Sequence, residues 1–474
     1  MCDTLFFLML RFQVTKLPED EMDFEPTKDL VHDFATRTHP RRWVLWGPFI
    51  DTSFLRNPLS FHLYRSLGGW ASYSEHLSLN MNGVELGLYV LTEKIDEQSL
   101  GVRKATRHRM AGKKKFPYYE ALIKYDWPVD DGKHFSFPLP NSNNTVVMQY
   151  PQVPGYLAGN PTKMEQAFVT ESQKAMINID NIVAHGTAEQ LEEVLDIDSF
   201  VRFYLLEEVA KDLDGYGLSA FTRLQMGHTP DNYPNATVYT KLVHAAPWDF
   251  HLGYGFACMP MYFQNYLTGE SDVGVRGWNA ENLRTNAMWT DEWGHPNGAI
   301  NNFGRNLRQF YLNLWQQHSF RTRFRSAWLA ARGYYNAATF KESGNTNELM
   351  NHLVATTPMK WSIVNGWLED QGEAIDARAT HDLKLWANTS RAAFFSICHP
   401  ENNRNFTNAF TNLQDWVHRR MNWMDGRVAA EVSEFGGSDL DIAAAKLAKK
   451  TSEEASLKLS VFETEPFTAS PFQQ

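Results

Sequence analysis

Apolar and polar residues alternate along much of the first third of the chain, which predicts strands. A strand is predicted over residues 42–49 and another over 118–126. Between them, the stretch "HLSLNMNGVELGLYVLTEKI" alternates on both sides of Asn82-Gly83, a dipeptide that strongly favours a hairpin turn. This part of the chain is therefore expected to contain a sheet.

One helix interrupts these strands. Leu55, Leu59, Leu63 and Leu67 recur at intervals of four and would lie on one face of a helix. Thr52 or Ser53 is its predicted N-cap, and Gly68-Gly69 its predicted end.

From residue 187 the pattern becomes mainly helical. Ile197, Val201, Leu205 and Val209 predict a helix in "DIDSFVRFYLLEEVAKDLDG". Two strand-like runs follow it, at 219–225 and 237–243. Further helices are predicted at 303–333, at 346–397 in pieces, and at 407–433.

These patterns divide the chain into four parts. We expect a lead-in at residues 1–33, a small mixed α/β lobe at 34–186, a larger and mainly helical lobe at 187–435, and a tail at 436–474. The first lobe would carry a long connection or insertion at about 127–180, rich in Pro, Asn and Gly. The tail reads as a linker, an exposed helix and a disordered end. An α+β fold with a small and a large lobe is typical of bilobal, protein-kinase-like proteins.

Composition narrows the possible functions. The net charge of −10 argues against a nucleic-acid-binding surface, which needs a basic stripe. Cys2, Cys258 and Cys398 show no CxxC spacing, which excludes a structural zinc site built from thiolates. The apolar run near the N-terminus is too short to span a bilayer and lacks a preceding basic region. We interpret it as a strand or as the start of an incomplete gene model, which leaves the compartment open.

Three residues are candidates for the chemistry of phosphoryl transfer, which needs a cation for the phosphates and carboxylates for Mg²⁺ and for the acceptor hydroxyl. Lys124 lies in the predicted strand "ALIKYD". Asp214 follows the helix that ends in "VAKDLDG", and Asp249 lies in "APWDFHLGYG" after the second strand-like run. The two aspartates would therefore flank a hairpin and approach one cleft.

Each of these residues also has a structural interpretation. Lys124 has the pattern of a surface lysine, Asp214 that of a turn residue before Gly215, and Asp249 that of a hydrogen-bonded turn aspartate. Asp212 is an alternative to Asp214. Glu93, at the end of a hairpin strand, is a possible ion-pair partner for Lys124.

Other reaction classes lack their motifs. The sequence has no GxSxG elbow, no HExxH zinc motif and no Walker lysine loop. It also has no GxGxxG loop, which excludes an ordinary eukaryotic protein kinase.

Four stretches together resemble the spore-coat-H (CotH) kinase family. They are "IDTSFLRNPLSFHLYRSLG", "LNMNGVELGLYVLTEKID", "FVRFYLLEEVAKDLDGYGLSAFTRL" and "APWDFHLGYG". The resemblance spans roughly residues 40–433. It implies an atypical bilobal kinase fold that uses ATP with Mg²⁺, or with Mn²⁺ in its place. The implied acceptor is a Ser or Thr of a protein substrate, and some members are thought to transfer other groups, such as glutamate.

The resemblance also implies roles for single residues. Lys124 and Glu93 match the nucleotide-binding pair, Asp214 the catalytic loop aspartate, and Asp249 the Mg²⁺ ligand. Arg56 matches a helix arginine, which either contacts phosphate or forms a structural ion pair.

Two positions depart from the family pattern. Ser219 stands where the family has a metal-binding asparagine, and His251 where it has a second acid. A hydroxyl is a weaker ligand than an amide oxygen, and neutral imidazole is a poor ligand for Mg²⁺. One alternative is therefore a catalytically degenerate, pseudokinase-like binding or scaffold protein. The other is a transferase of the same fold that moves another group, by glutamylation or AMPylation.

Overall fold

The computed structural model describes most of the chain. The described residues are 10–13, 42–48, 50–102, 106–109, 115–126, 128–129, 131–142, 144–212, 214–228, 238–255, 275–282, 309–387 and 405–462. The three cysteines, most of the acidic lead-in and the last residues of the tail lie outside them. No described helix has the length and apolar character needed to cross a lipid bilayer.

The first sheet has four antiparallel strands in the order β1-β2-β4-β3. They are β1 (Leu10–Gln13), β2 (Arg42–Trp46), β3 (Ser74–Met81) and β4 (Val84–Glu93). The β3–β4 hairpin turns at Asn82-Gly83, where both residues have positive φ, as predicted from this dipeptide. The last residues of the N-terminal apolar run lie in β1, and the residues before Leu10 lie outside the described part of the chain.

The second sheet joins strands from distant parts of the chain. They are β5 (Thr106–Arg109), β6 (Lys115–Tyr125), β7 (Ser136–Pro138), β8 (Thr145–Tyr150), β9 (Ala220–His228) and β10 (Val238–Ala246). The order is β10-β9-β6-β8-β7, and β5 pairs with β6. Because β6 pairs with β9, this sheet takes strands from both sides of the boundary predicted at residue 187.

The segment at 127–180 is more regular than its composition indicated. It contains β7, β8, the short helix α2 (Pro154–Leu157) and most of α3 (Lys163–His185). Thr162 and Glu165 form a capping box that begins α3, and Phe168, Val169 and Met176 are buried. The interpretation as a long connection was wrong, because clusters of Pro, Asn and Gly here mark the turns between short elements.

The remaining helices surround one face of the second sheet and form the main core with it. They are α1 (Arg56–Ser66), α4 (Ala188–Val194), α5 (Ile197–Ala210), α6 (Asn279–Asn282), α7 (Gln309–Gln316), α8 (His318–Ala331), α9 (Ala337–Glu342), α10 (Glu348–Thr356), α11 (Trp361–Leu385), α12 (Phe406–Phe435) and α13 (Asp439–Phe462). The predicted apolar stripes of α1, α5 and α12 are buried in this core, except that Phe410 is half-buried. The protein therefore has an α+β fold.

The start of α1 differs from the prediction. Neither Thr52 nor Ser53 is the N-cap; the cap is Leu55, which makes no side-chain hydrogen bond. The carboxylate of Asp51 instead accepts the backbone N–H groups of Ser53 and Arg56, at 3.0 Å each. A buried acid from outside the helix thus replaces a side-chain cap.

The tail helix also differs from the prediction. The helix α13 is present, but it is not simply exposed, since Ala444, Ala445 and Ala448 are buried against α12. Small side chains allow this close approach: a Cβ added at Gly426 of α12 would lie 2.7 Å from the Ser452 hydroxyl.

Candidate active site

The β9–β10 hairpin brings two loops to one end of the second sheet. Ala246 at the end of β10 pairs with Phe221 at the start of β9, next to Lys124 of β6. Asp214 lies six residues before the first residue of β9, and Asp249 lies three residues after the last residue of β10. The expected hairpin relation between the two aspartates is present.

Asp249 has an unusual backbone conformation. Its φ of 70° and ψ of 47° are left-handed, and it precedes a single 3₁₀ turn, Phe250–Leu252. Few residues other than glycine adopt this region, although Asp and Asn do so more readily than most. The chain then turns away at Gly255, where φ is +73° and a Cβ would lie 2.3 Å from Trp416. Gly253 has an ordinary extended conformation, so only the second of the two glycines is needed for this turn.

Helix α1 holds this loop from one side. The Asn57 side-chain oxygen accepts the Phe250 N–H at 2.5 Å, and the Arg56 Nε donates to the Gly253 carbonyl at 3.0 Å. The Tyr254 N–H donates to the Ala210 carbonyl, at the end of α5. The backbone of the loop is therefore fixed by both α1 and α5.

Arg56 is fully engaged in these structural contacts. Its Nη1 lies 2.5 Å from the Asp51 carboxylate and 3.2 Å from the Ser53 hydroxyl, and only 7% of the residue is exposed. Of the two predicted roles, the structural ion pair describes its geometry.

Lys124 lies on the face of the second sheet opposite to the main core. Its neighbours Ile123 and Tyr125 are buried in that core, whereas Lys124 lies over the Phe221 ring, 5.6 Å from the centroid. It forms an ion pair with Asp126. Glu93 lies in the first sheet, where it accepts the Tyr73 N–H at 3.3 Å, and its pairing with Lys124 stays a prediction.

Beside Lys124 lies a small apolar cluster that the sequence reasoning missed. It includes Leu122 and Phe221, with three half-buried aromatic residues around it, Trp70, Tyr150 and Trp248. These rings come from separate stretches of chain and pack against the same cluster.

His251 makes an ion pair with Asp249. Its Nδ1 lies 2.6 Å from the Asp249 Oδ1, and both side chains are about 15% exposed. Burial alone would lower the pKa of His251, but the charge and hydrogen bond of Asp249, together with the charges of Asp212 and Asp214, raise the pKa to about 9. The imidazole is therefore protonated at neutral pH.

The pKa of Asp249 changes in the opposite sense. Burial would raise it, but the charge and hydrogen bond of His251 and the charge of Lys124 lower the pKa below its usual value. Lys124 and His251 therefore lie within electrostatic range of Asp249, and Asp212 and Asp214 lie within electrostatic range of His251.

Ser219 occupies the end of the Asp214 loop. It has a left-handed φ of 56° and directly precedes β9. Asn adopts such a conformation more readily than Ser, so the serine changes the backbone preference of this position as well as its ligand chemistry. The Asp214 carbonyl accepts the N–H groups of Gly217 and Leu218, which closes the loop.

No cluster of three or more His, Cys, Asp or Glu side chains able to hold a metal occurs in the part of the chain that the structure describes.

Sequence reasoning also missed Asn57 and Asp51. The only available signal was that Asn57 directly follows Arg56 in the first of the four family-like stretches.

Comparison with known proteins supports one family. A search of curated proteins gives no match. The family model described as "CotH kinase protein" matches residues 12–424, which include the second sheet, nearly all of the first sheet and every candidate site residue. This chain therefore belongs to the CotH kinase family.

Proposed function

We propose that this chain transfers the γ-phosphoryl group of ATP to a Ser or Thr hydroxyl of a protein substrate, with Mg²⁺ as the cofactor. The observation that supports the proposal is that Lys124 and His251 lie within electrostatic range of Asp249, and Asp214 within electrostatic range of His251, at the end of the β9–β10 hairpin. One cation and at least two carboxylates in one cleft are the parts that phosphoryl transfer requires.

The residues present fit Mg²⁺ in a limited way. Mg²⁺ commonly binds through one or two carboxylates plus substrate phosphates, and it retains several waters. Asp249 would provide the carboxylate, and the hydroxyl of Ser219 would be at most a secondary ligand. His251, as a cation, would contact phosphate rather than metal. When bound, Mg²⁺ neutralises and orients the triphosphate.

The other residues have roles that follow from their charge. Lys124 would bind the phosphates of the nucleotide as a point charge. Asp214 would accept the proton of the substrate hydroxyl while the hydroxyl oxygen forms the new bond to the γ-phosphorus. The bond between that phosphorus and the β,γ-bridging oxygen breaks, and ADP leaves with the electron pair.

The half-buried rings of Trp70, Tyr150 and Trp248 offer a stacking surface beside Lys124 for the base of the nucleotide. In this proposal Glu93 and Arg56 have smaller roles than the family resemblance implied. Glu93 would act from the first sheet, and Arg56 would hold the Asp249 loop.

A bilobal, kinase-like arrangement is part of the proposal. The first sheet would correspond to the small lobe. The lobe boundary would then fall between the two sheets, since β6 pairs with β9 across residue 187.

The proposal is tested by transfer of label from γ-labelled ATP to a casein-like acceptor. Asp214→Asn and Asp249→Asn should each lower the rate by about 10²–10⁴, the range typical of removing a general base or its equivalent. Lys124→Met should raise KM for ATP. Asp131→Asn, an exposed turn aspartate, is the matched control and should retain the wild-type rate. Equal rates in all four variants would refute the assignment of the site.

A second candidate is a pseudokinase that binds nucleotide without turnover. The His251–Asp249 ion pair favours it, because it engages one oxygen of the metal-binding carboxylate. In that case ATP would stabilise the protein equally with and without Mg²⁺, and His251→Asp would restore label transfer. Transfer by the wild-type protein would exclude this candidate.

A further inference from the structure

The peptide bond that follows Asp249 is held by a side chain from another part of the chain. The N–H of Phe250 belongs to this peptide, and its acceptor is the Asn57 side-chain oxygen, 2.5 Å away. Asn57 is 6% exposed and Phe250 is 1% exposed, so water has little access to this hydrogen bond. A buried N–H group that loses its partner is strongly destabilising, so the contact restricts how the peptide can rotate.

The orientation of this peptide determines the conformation of Asp249. The plane of the peptide sets the ψ angle of Asp249, which is 47° in a left-handed conformation that most residues avoid. A strained conformation persists only where its surroundings impose it. The direction of the Asp249 carboxylate follows from these backbone angles and from the pairing with His251.

The helix that carries Asn57 is itself anchored at its first turn. The Asp51 carboxylate accepts the Arg56 N–H and contacts the Arg56 guanidinium, and the Phe54 carbonyl contacts the His76 Nε2 at 2.8 Å. The position of Asn57 is therefore fixed relative to strand β3 of the first sheet.

We propose that Asn57 is a positioning residue of the site, which holds Asp249 in its left-handed conformation by accepting the Phe250 N–H. Its effect on phosphoryl transfer rests on the proposed function. Its effect on the conformation of the loop does not depend on the proposed function. Experiments can therefore distinguish failure of the positioning role from failure of the proposed function.

The first test measures amide hydrogen exchange in the loop by NMR or mass spectrometry. In the wild-type protein the Phe250 amide should exchange slowly. In Asn57→Leu, whose side chain has the same number and branching of heavy atoms but no acceptor, exchange across residues 249–253 should accelerate by about ten- to a hundredfold. Asn57→Asp retains an acceptor oxygen and should restore most of the protection.

The matched control is Tyr64→Phe on the same helix. Tyr64 is as deeply buried, but its hydroxyl contacts the His244 ring, 3.4 Å away, rather than the loop. This variant should leave loop exchange unchanged even if it lowers the melting temperature. If Asn57→Leu and Tyr64→Phe accelerate exchange equally, Asn57 has only a general structural role, and the inference is wrong.

The second test uses label transfer. Asn57→Leu should lower kcat by about ten- to a hundredfold at saturating ATP, with a smaller change in KM for ATP, and Asn57→Asp should recover most of the loss. Unchanged kcat in Asn57→Leu would overturn the inference if the wild-type protein is active. If the wild type shows no transfer while its loop exchange behaves as expected, the proposed function fails and the positioning role stands.

If Asn57→Leu does not fold, the exchange experiment still tests the inference. Fast exchange of the Phe250 amide in the wild type would refute it, and slow exchange of that amide in both the wild type and Asn57→Asp would support it.

Discussion

At the scale of residues, His251 changes the chemistry of the site more than any other departure from the family pattern. In the family pattern this position holds an acid, whereas this sequence has a histidine. The structure instead places a cation there, 2.6 Å from Asp249. One negative charge is thus replaced by one positive charge, next to the carboxylate proposed to hold Mg²⁺. A substrate that is itself highly negative, such as a triphosphate, would compensate for this change in part.

The ion pair predicts a specific dependence of stability on pH. Because the pKa of His251 is raised to about 9 in the folded state, its contribution is fully present below the unfolded value near 6.5 and is lost as pH rises through about 9. His251→Gln should therefore melt at a lower temperature than the wild type at neutral pH. The difference in melting temperature between the two proteins should disappear by about pH 10.

Thermal melts of the two proteins across this range test the prediction. A gap that is constant from neutral to alkaline pH would mean that His251 is not charged in the folded protein. The depressed pKa of Asp249 has the opposite sign, and its contribution is lost as pH falls through the acid range.

The residue identities of the site could be proposed from sequence, but their partners could not. Lys124, Asp214 and Asp249 followed from their motifs. The partners Asp126, Asn57 and Asp51 depend on local geometry that no pattern encodes. Arg56 illustrates the limit: its motif allowed a phosphate contact or an ion pair, and only the location of Asp51 distinguishes them.

At the scale of elements, strong periodicity was a reliable guide and composition was not. The β3–β4 hairpin, α5 and α12 lie close to where their patterns predicted them. The strands within 127–180 were missed because they have only three to six residues, too few to show a period. The helix α3 was overlooked although Phe168, Met176, Ile179 and Val183 are buried at helical spacing. The tail helix was expected to be exposed because its buried face consists of alanines, which give a weak hydrophobic signal.

The β3–β4 hairpin contacts α11 through a position where only glycine fits. Gly87 has φ of +93°, and a Cβ there would lie 2.0 Å from the Asp382 Oδ1, which accepts the Leu88 N–H. We expect Gly87→Ala to lower the free energy of unfolding by about 1–3 kcal/mol beyond the effect of the positive φ alone.

Gly83→Ala provides the control for this comparison. Gly83 also has positive φ, at +79°, but has open space around it. Urea denaturation of the two variants should show Gly87→Ala to be clearly the less stable. Equal stabilities would mean that α11 does not pack against the hairpin as closely as the structure indicates.

At the scale of the whole molecule, a buried ion pair connects the catalytic region to the C-terminal helices. Arg420 of α12 and Glu208 of α5 are both fully buried, with Nη2 and Oε2 3.2 Å apart. Glu208 also accepts the Tyr216 hydroxyl from the Asp214 loop, at 2.8 Å. Its other donors are the N–H groups of Asn279 and Ala280. Through Glu208 the Asp214 loop is linked to α12, and Glu208 and Arg420 are 212 residues apart in sequence.

Loss of Arg420 should be strongly destabilising. Arg420→Met would leave the Glu208 carboxylate buried without its counter-charge, and we expect a loss of about 3–5 kcal/mol at neutral pH. Burial already raises the pKa of Glu208, even though Arg420 and its hydrogen bonds oppose this. The folded form therefore binds the proton more tightly than the unfolded chain, and the loss should shrink as pH falls.

Denaturant unfolding at neutral and mildly acidic pH tests this, with Lys449→Met as the control. Lys449 forms an exposed pair with Glu453 on α13, and its loss should have little effect at either pH. A small, pH-independent effect of Arg420→Met would contradict the connection described here.

The whole-molecule topology could not be deduced from sequence because β6 and β9 are about 100 residues apart. Their pairing brings Lys124 beside the hairpin that carries the two aspartates, and no local pattern specifies it. The hairpin pattern predicted that the two aspartates approach one cleft, but it did not place β6 beside that hairpin.

The central claim, that this site transfers phosphate, is tested most directly by intact-mass spectrometry. The purified protein and a casein-like acceptor would be incubated with ATP and Mg²⁺, with glutamate present, beside the Asp249→Asn variant. The account predicts a mass increase of one or more phosphoryl groups in the wild-type reaction and none with the variant. An added adenylyl or glutamyl group, or no added mass with any divalent cation, would contradict it.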